Sequence, residues 1–169
     1  TAIALGLARL VFLASLSIVH RLTAPGRTPP ELDPATGPLV SVLIPCFNEE
    51  KVIVGSVRQI LASNWPNLEI IVLDDGSTDG TSAAVEAAFA AHPKVRLARF
   101  ENGGKARALN RGLDMAAGGI IVALDADTLF DRDTLGRLAR WFSDPEIGAV
   151  AGNALVGNRL NLITRWQRS

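Results

Sequence analysis

One cysteine, no tyrosine and no net charge are what this 169-residue chain lacks or nearly lacks. The lone Cys46 rules out an intrachain disulfide framework and a cysteine-rich zinc site. Lysine plus arginine and aspartate plus glutamate balance at 17 each, so no bulk field draws nucleic acid or an acidic partner. No internal repeat or low-complexity tract occurs, and no lysine occurs after Lys105. The length suits one domain with a full core. The first residue is Thr1 rather than methionine, which sets the expectation of a piece of a longer chain.

The first part differs in composition from the rest. Ala2 to Val19 is apolar except for Arg9 and small or hydroxyl side chains. That length is at the lower limit for crossing a bilayer, roughly 17–25 residues. The competing reading is a soluble amphipathic helix, because Arg9 is costly at a bilayer centre. Hydropathy favours the membrane, and His20, Arg21 and Arg27 then put the remainder of the chain on the cytoplasmic side. The expected organisation is a transmembrane helix over 1–22, a stiff linker over 23–38 and one α/β domain over 39–169. Pro25, Pro29, Pro30, Pro34 and Pro38 make the linker stiff.

From Leu39 onward, short apolar runs alternate with helical periodicity. Strands are expected over 39–44, 69–73, 95–100 and 120–124, with helices over 49–62, 78–91, 105–116 and 131–142. Ile53, Val57, Ile60 and Leu61 form the inward stripe of the first helix, and Ser77 or Thr78 caps the second. A further strand over 148–156 and a helix from Leu160 complete the pattern. Alternation of this kind predicts a mostly parallel sheet with helices on both faces. Cys46 reads as a small buried residue, Trp65, Trp141 and Trp166 as packing groups, and His92 as a surface residue.

The polar residues gather where the strands end. They are Pro45 to Glu50, Asp74 to Asp79, Glu101 to Lys105, and Asp125-Ala126-Asp127. In a parallel sheet these ends share one edge, where open α/β sheets bind ligands. Asp74 and Asp75 can accept hydrogen bonds from a nucleoside, and Gly76 lets the backbone approach closely. Gly103-Gly104-Lys105 opens a helix, a setting suited to phosphate, although the spacing is not that of a P-loop. Asp125 and Asp127 offer hard oxygen ligands to Mg²⁺ or Mn²⁺. Each set also has a structural reading, as turn and N-cap chemistry for the aspartates or as a solvated lysine.

Four stretches resemble family 2 glycosyltransferases: Ser41–Glu50 (SVLIPCFNEE), Val72–Thr81 (VLDDGSTDGT), Asn102–Asn110 (NGGKARALN) and Leu124–Thr128 (LDADT). Gly148–Gln167 (GAVAGNALVGNRLNLITRWQ) is similar to the membrane-bound processive group of poly-β-1,6-N-acetylglucosamine, chitooligosaccharide and hyaluronan synthases. The resemblance implies a GT-A, Rossmann-like fold. Pro45, Phe47, Asn48 and Glu49 would line the nucleotide pocket, Asp74 and Asp75 would meet uridine, and Lys105 would lie near the diphosphate. Asp125 would also lie beside the nucleotide sugar and form the D-x-D pair with Asp127, the more direct metal ligand. Gly152, Asn153 and Asn158 would approach the acceptor. The family's catalytic base lies in a later acidic motif that does not occur after Asn153, so it is expected beyond Ser169. Arg165-Trp166 only superficially matches the group's Q-x-x-R-W signature, because Leu162 stands where glutamine should.

The expected function is inverting transfer of a sugar, N-acetylglucosamine, from a UDP donor to a growing β-linked polysaccharide of the biofilm type. This chain would supply the donor and metal half. The resemblance also implies a multi-pass inner-membrane parent with a cytoplasmic catalytic domain, lipid contacts and an accessory membrane subunit. Two rivals are weighed against it. Residues 121–128 also fit the D-x-D-x-T pattern of haloacid dehalogenase-like phosphatases, but there the motif lies on the first strand and a lysine comes after it. The other rival is a non-catalytic nucleotide-binding module.

Overall fold

The computed structural model describes residues 29–128 and 131–152, with Phe12 and Ser15 as isolated positions. The expected membrane span and the helix from Leu160 lie outside the described residues. Among the described residues, no helix is long and apolar enough to cross a membrane.

Four parallel strands form one sheet in the order β3-β2-β1-β4. They are β1 (Val40–Cys46), β2 (Leu68–Asp74), β3 (Val95–Arg99) and β4 (Ile120–Ala123). Helices α1 (Ile53–Leu61), α2 (Thr81–Phe89) and α3 (Lys105–Met115) form the crossovers. After β4 come a short α4 (Thr134–Ala139) and a 3₁₀ turn, Arg140–Ser143. The order of elements up to that turn matches the apolar periodicity.

Strand alternation sends side chains to two cores. Val40, Val42 and Ile44 of β1 pack with Ile53, Val57 and Ile60 of α1, Val85 and Phe89 of α2, and Leu135 of α4. Leu43 of β1 and Ile71 and Leu73 of β2 pack with Ala108 of α3 on the other face. Each such Leu, Ile or Val contributes about 1.5–3 kcal/mol by leaving water. The expected α1 stripe is buried at Ile53, Val57 and Ile60, while Leu61 is half-buried. Trp65 is buried in the first core, and its Nε1 donates to Pro38 O at 3.2 Å. Asn67 Nδ2 donates to Gly37 O at 2.9 Å, so the last residues of the expected linker are docked on the domain.

Several boundaries differ from expectation for physical reasons. Strand β1 runs through Pro45 instead of stopping there. Leu43 O accepts Leu124 N at 3.0 Å, so alternate residues of β1 face β4, and Pro45 faces the same side. The β4 ladder reaches only as far as the Leu43–Ala123 pair, so the N–H that Pro45 lacks has no partner to miss. Helix α2 begins at Thr81, because Ser77 and Thr78 hydrogen-bond to Asn48 instead of capping the helix. The apolar run of β4 predicts a buried strand, but among the described residues β4 lies at the edge of the sheet, with Ile121 at 37% exposure. Residues 148–152 form no strand, and the rest of that expected strand lies outside the described residues.

Candidate active site

The carboxyl ends of β1, β2 and β4 and the start of α3 enclose a cavity of about 310 Å³. Its lining includes Pro45, Phe47, Glu49, Asp75, Lys105, Asp125 and Asp127, all named from the sequence. Asn48, exposed, and Asp74, buried, do not line it. Gly152 is exposed and does not line it, and Asn153 and Asn158 lie outside the described residues.

The exit of β2 is a scaffold of carboxylates. Asp75 is 5% exposed, and its two oxygens accept Gly103 N at 3.0 Å and Gly104 N at 2.7 Å. This clamp sets the start of α3, where Gly104 has φ +87°. Gly76 has φ +80°, and a Cβ there would lie 2.8 Å from Asn102 N. Only glycine tolerates both demands. Asp74, 3% exposed, accepts Ser77 N at 2.8 Å through Oδ1 and the Ser82 hydroxyl through Oδ2. Arg99 Nε donates to Ser82 Oγ at 2.9 Å and extends this network to β3.

The loop after β1 is stitched to the loop after β2. Asn48, with φ 57°, donates its N–H to Ser77 Oγ at 2.9 Å and accepts Thr78 N at 2.9 Å. Glu49 N donates to Thr81 Oγ1 at 2.8 Å, and Gly80 N donates to Glu50 Oε2 at 3.1 Å. Asp79 accepts Thr81 N at 2.9 Å and Glu50 N at 3.3 Å. Its bond from the Thr81 hydroxyl leads the causes that hold its carboxyl below the usual 3.8. Sequence reading missed Glu50, Thr81 and Ser82 as supports, since only long-range pairing reveals them. Burial, then the nearby charges of Asp74, Glu49 and Asp79, pushes the Cys46 thiol up to about 12. It therefore stays protonated and unreactive.

The exit of β4 is built differently. Ala126 is buried, and its carbonyl accepts the Ser56 hydroxyl from α1. The loop is thus held at its middle while the flanking Asp125 and Asp127 project outward. Asp125 pairs with Lys105 Nζ across the cavity. No group of three or more His, Cys, Asp or Glu side chains is placed to hold a metal among the described residues. Two carboxylates still suit Mg²⁺ or Mn²⁺, which commonly complete their shells with phosphate oxygens and water. The donor set therefore fits a cation shared with an anionic ligand.

A parallel α/β sheet that gathers a helix start and an aspartate pair at its carboxyl edge has the layout in which open α/β folds bind ligands. The profile described as Glycosyl transferase family 2 matches residues 41–169. The chain belongs to that family. Poly-beta-1,6-N-acetyl-D-glucosamine synthase of Staphylococcus aureus (strain COL) is 33% identical over 129 residues, 76% of this chain and 31% of that protein. The Staphylococcus epidermidis synthase is likewise 33% identical, over 130 residues, with the same shares of each chain. This chain thus spans about a third of the length of these curated relatives. A Pyrobaculum calidifontis mannosyltransferase solved with GDP-Man and Mn²⁺ superposes with a TM-score of 0.71 at 38% identity, covering 87% of this chain and 45% of that one. S. aureus TarS 1-349 with UDP-GlcNAc gives 0.57 at 28% identity, covering 62% and 31%. The fold is GT-A-like, and the family's chemistry is glycosyl transfer.

Proposed function

We propose that this domain is the donor-binding half of an inverting transferase that moves N-acetylglucosamine from its UDP donor to a growing β-linked polysaccharide. The convergence of Asp75, Lys105, Asp125 and Asp127 on one cavity carries the reading. Asp75 fixes the Gly103-Gly104 turn, so the N-terminus of α3 presents its partial positive charge to the diphosphate. Lys105 adds an exposed cation there, and Phe47, 47% exposed, offers an apolar wall to the nucleoside. Asp125 and Asp127 would hold Mg²⁺ or Mn²⁺. When bound, that cation neutralises the charge that develops on the departing diphosphate. The base that deprotonates the acceptor hydroxyl is assigned to none of the described residues.

The apolar segment over 1–22 is proposed to anchor a multi-pass parent in the inner membrane, with this domain in the cytoplasm. That reading rests on its hydropathy and on Arg21 and Arg27 near its end. Lipid, the polysaccharide acceptor and an accessory membrane subunit would be the partners of the whole protein.

Calorimetry on the 169-residue chain tests the site. Titration of UDP with Mn²⁺ is expected to give weak, cation-dependent heat, and silence at millimolar UDP would remove the nucleotide site. The mannosyltransferase likeness favours a second reading, with GDP-mannose as donor. Tighter binding of GDP than of UDP would shift the assignment to it.

A further inference from the structure

A lysine is an awkward residue at the first position of a helix, because the helix dipole is positive there. Lys105 occupies that position in α3, and the first turn carries no acidic residue. Its ammonium reaches across the cavity to Asp125 Oδ1, one of the two carboxylates suited to a cation. Both side chains are exposed, at 59% and 57%, so burial does not lock the pair. Asp127 makes no such pair with any described residue.

We propose that Lys105 is a built-in counter-ion that holds Asp125 until ligands arrive and makes cation and diphosphate bind together. This rests on the nucleotide-site reading above. A divalent cation arriving alone has to displace the ammonium from Asp125, and the ammonium then faces the positive end of α3 without a partner. A diphosphate at the same helix start gives the ammonium a new anion and leaves both aspartates to the cation. Each ligand therefore favours the other, and linkage makes the coupling equal in both directions. The scale is set by an exposed ion pair, which corresponds to a factor of about two to five in affinity.

The test is Mn²⁺ binding to the 169-residue chain, read from the electron paramagnetic resonance signal of the free ion, with and without UDP. Lys105→Met is compared with the unaltered protein, and circular dichroism confirms that both are folded. Without UDP, Lys105→Met is expected to bind Mn²⁺ about two- to fivefold more tightly, with a smaller gain at high salt, where exposed pairs are screened. With saturating UDP the difference is expected to shrink toward zero, and UDP is expected to bind the variant more weakly. Lys105→Arg, which keeps the charge, should preserve the sign of the coupling. Equal or weaker Mn²⁺ binding by Lys105→Met without UDP overturns the counter-ion role while leaving the metal site standing. Absence of Mn²⁺ binding to the unaltered protein even with UDP overturns the metal site itself, and the proposal with it.

Discussion

Two aspartate clusters leave neighbouring strands at the same edge of the sheet, yet they have opposite surroundings. At the exit of β2, Asp74 and Asp75 are buried, and their oxygens accept hydrogen bonds from the surrounding loops. At the exit of β4, Asp125 and Asp127 are exposed, and among the described residues only Asp125 has a charged partner, Lys105. The difference arises from the strands themselves. Strand β2 is interior, so loops crowd its end from both sides, whereas β4 lies at the edge of the described sheet. Carboxylates at the crowded exit became scaffold, and those at the open exit remain available to a ligand.

The largest expected effect comes from breaking the scaffold. Asp75→Ala removes the buried carboxylate that accepts Gly103 N and Gly104 N, two charge-assisted hydrogen bonds, and is expected to cost about 3 kcal/mol, read from urea denaturation. It should also abolish UDP binding, because the start of α3 loses its anchor. Gly76→Ala should come next at about 2 kcal/mol in the same assay, from its positive φ and the approach to Asn102.

Another supporting carboxylate, Glu69 at the start of β2, supplies a pH test. Burial raises its pKa, but the Ser41 hydroxyl at 2.6 Å, the Ala117 amide at 2.7 Å and Arg96 outweigh that and hold it below 4.5. A depressed carboxylate stabilises the fold above its unfolded pKa, and that stability is lost as pH falls through the lower folded value. The stability gap between the unaltered protein and Glu69→Gln, monitored by thermal melts, should be full at neutral pH and close at acid pH. A gap that stays constant through the acid range would remove Glu69 from the scaffold group. The smallest stability effect belongs to the open exit. Asp127→Asn should change the unfolding free energy, read from urea denaturation, by less than about 0.5 kcal/mol while removing the Mn²⁺-dependent part of UDP binding. A large loss of stability there would erase the contrast between the two exits.

The order of strands and helices was legible because each apolar run and each helical stripe is a local signal. The convergence of Asp75, Lys105, Asp125 and Asp127 was legible too, since parallel strands put their carboxyl ends together. What escaped was the division of labour. Asp74 and Asp75 share a motif with Gly76, and nothing local says that their oxygens are already engaged by Ser77, Ser82, Gly103 and Gly104. The late start of α2 escaped for the same reason, since Ser77 and Thr78 bond to Asn48, about thirty positions earlier. The exposure of Ile121 depends on which strand ends up at the edge, which apolar content alone does not reveal.

The short β4 has one more consequence. Strand β1 continues three residues past the last β4 partner, from Leu43 to Cys46. At about 3.3 Å per residue this leaves a stair of roughly 10 Å beside β1. Pro45 forms its riser, and the Asp125–Asp127 loop forms its tread. A longer β4 would fill the stair with backbone, and a different residue in place of Pro45 would aim an idle N–H into it. The room for a ligand was made by stopping one strand early, and proline keeps that room free of an unpaired donor.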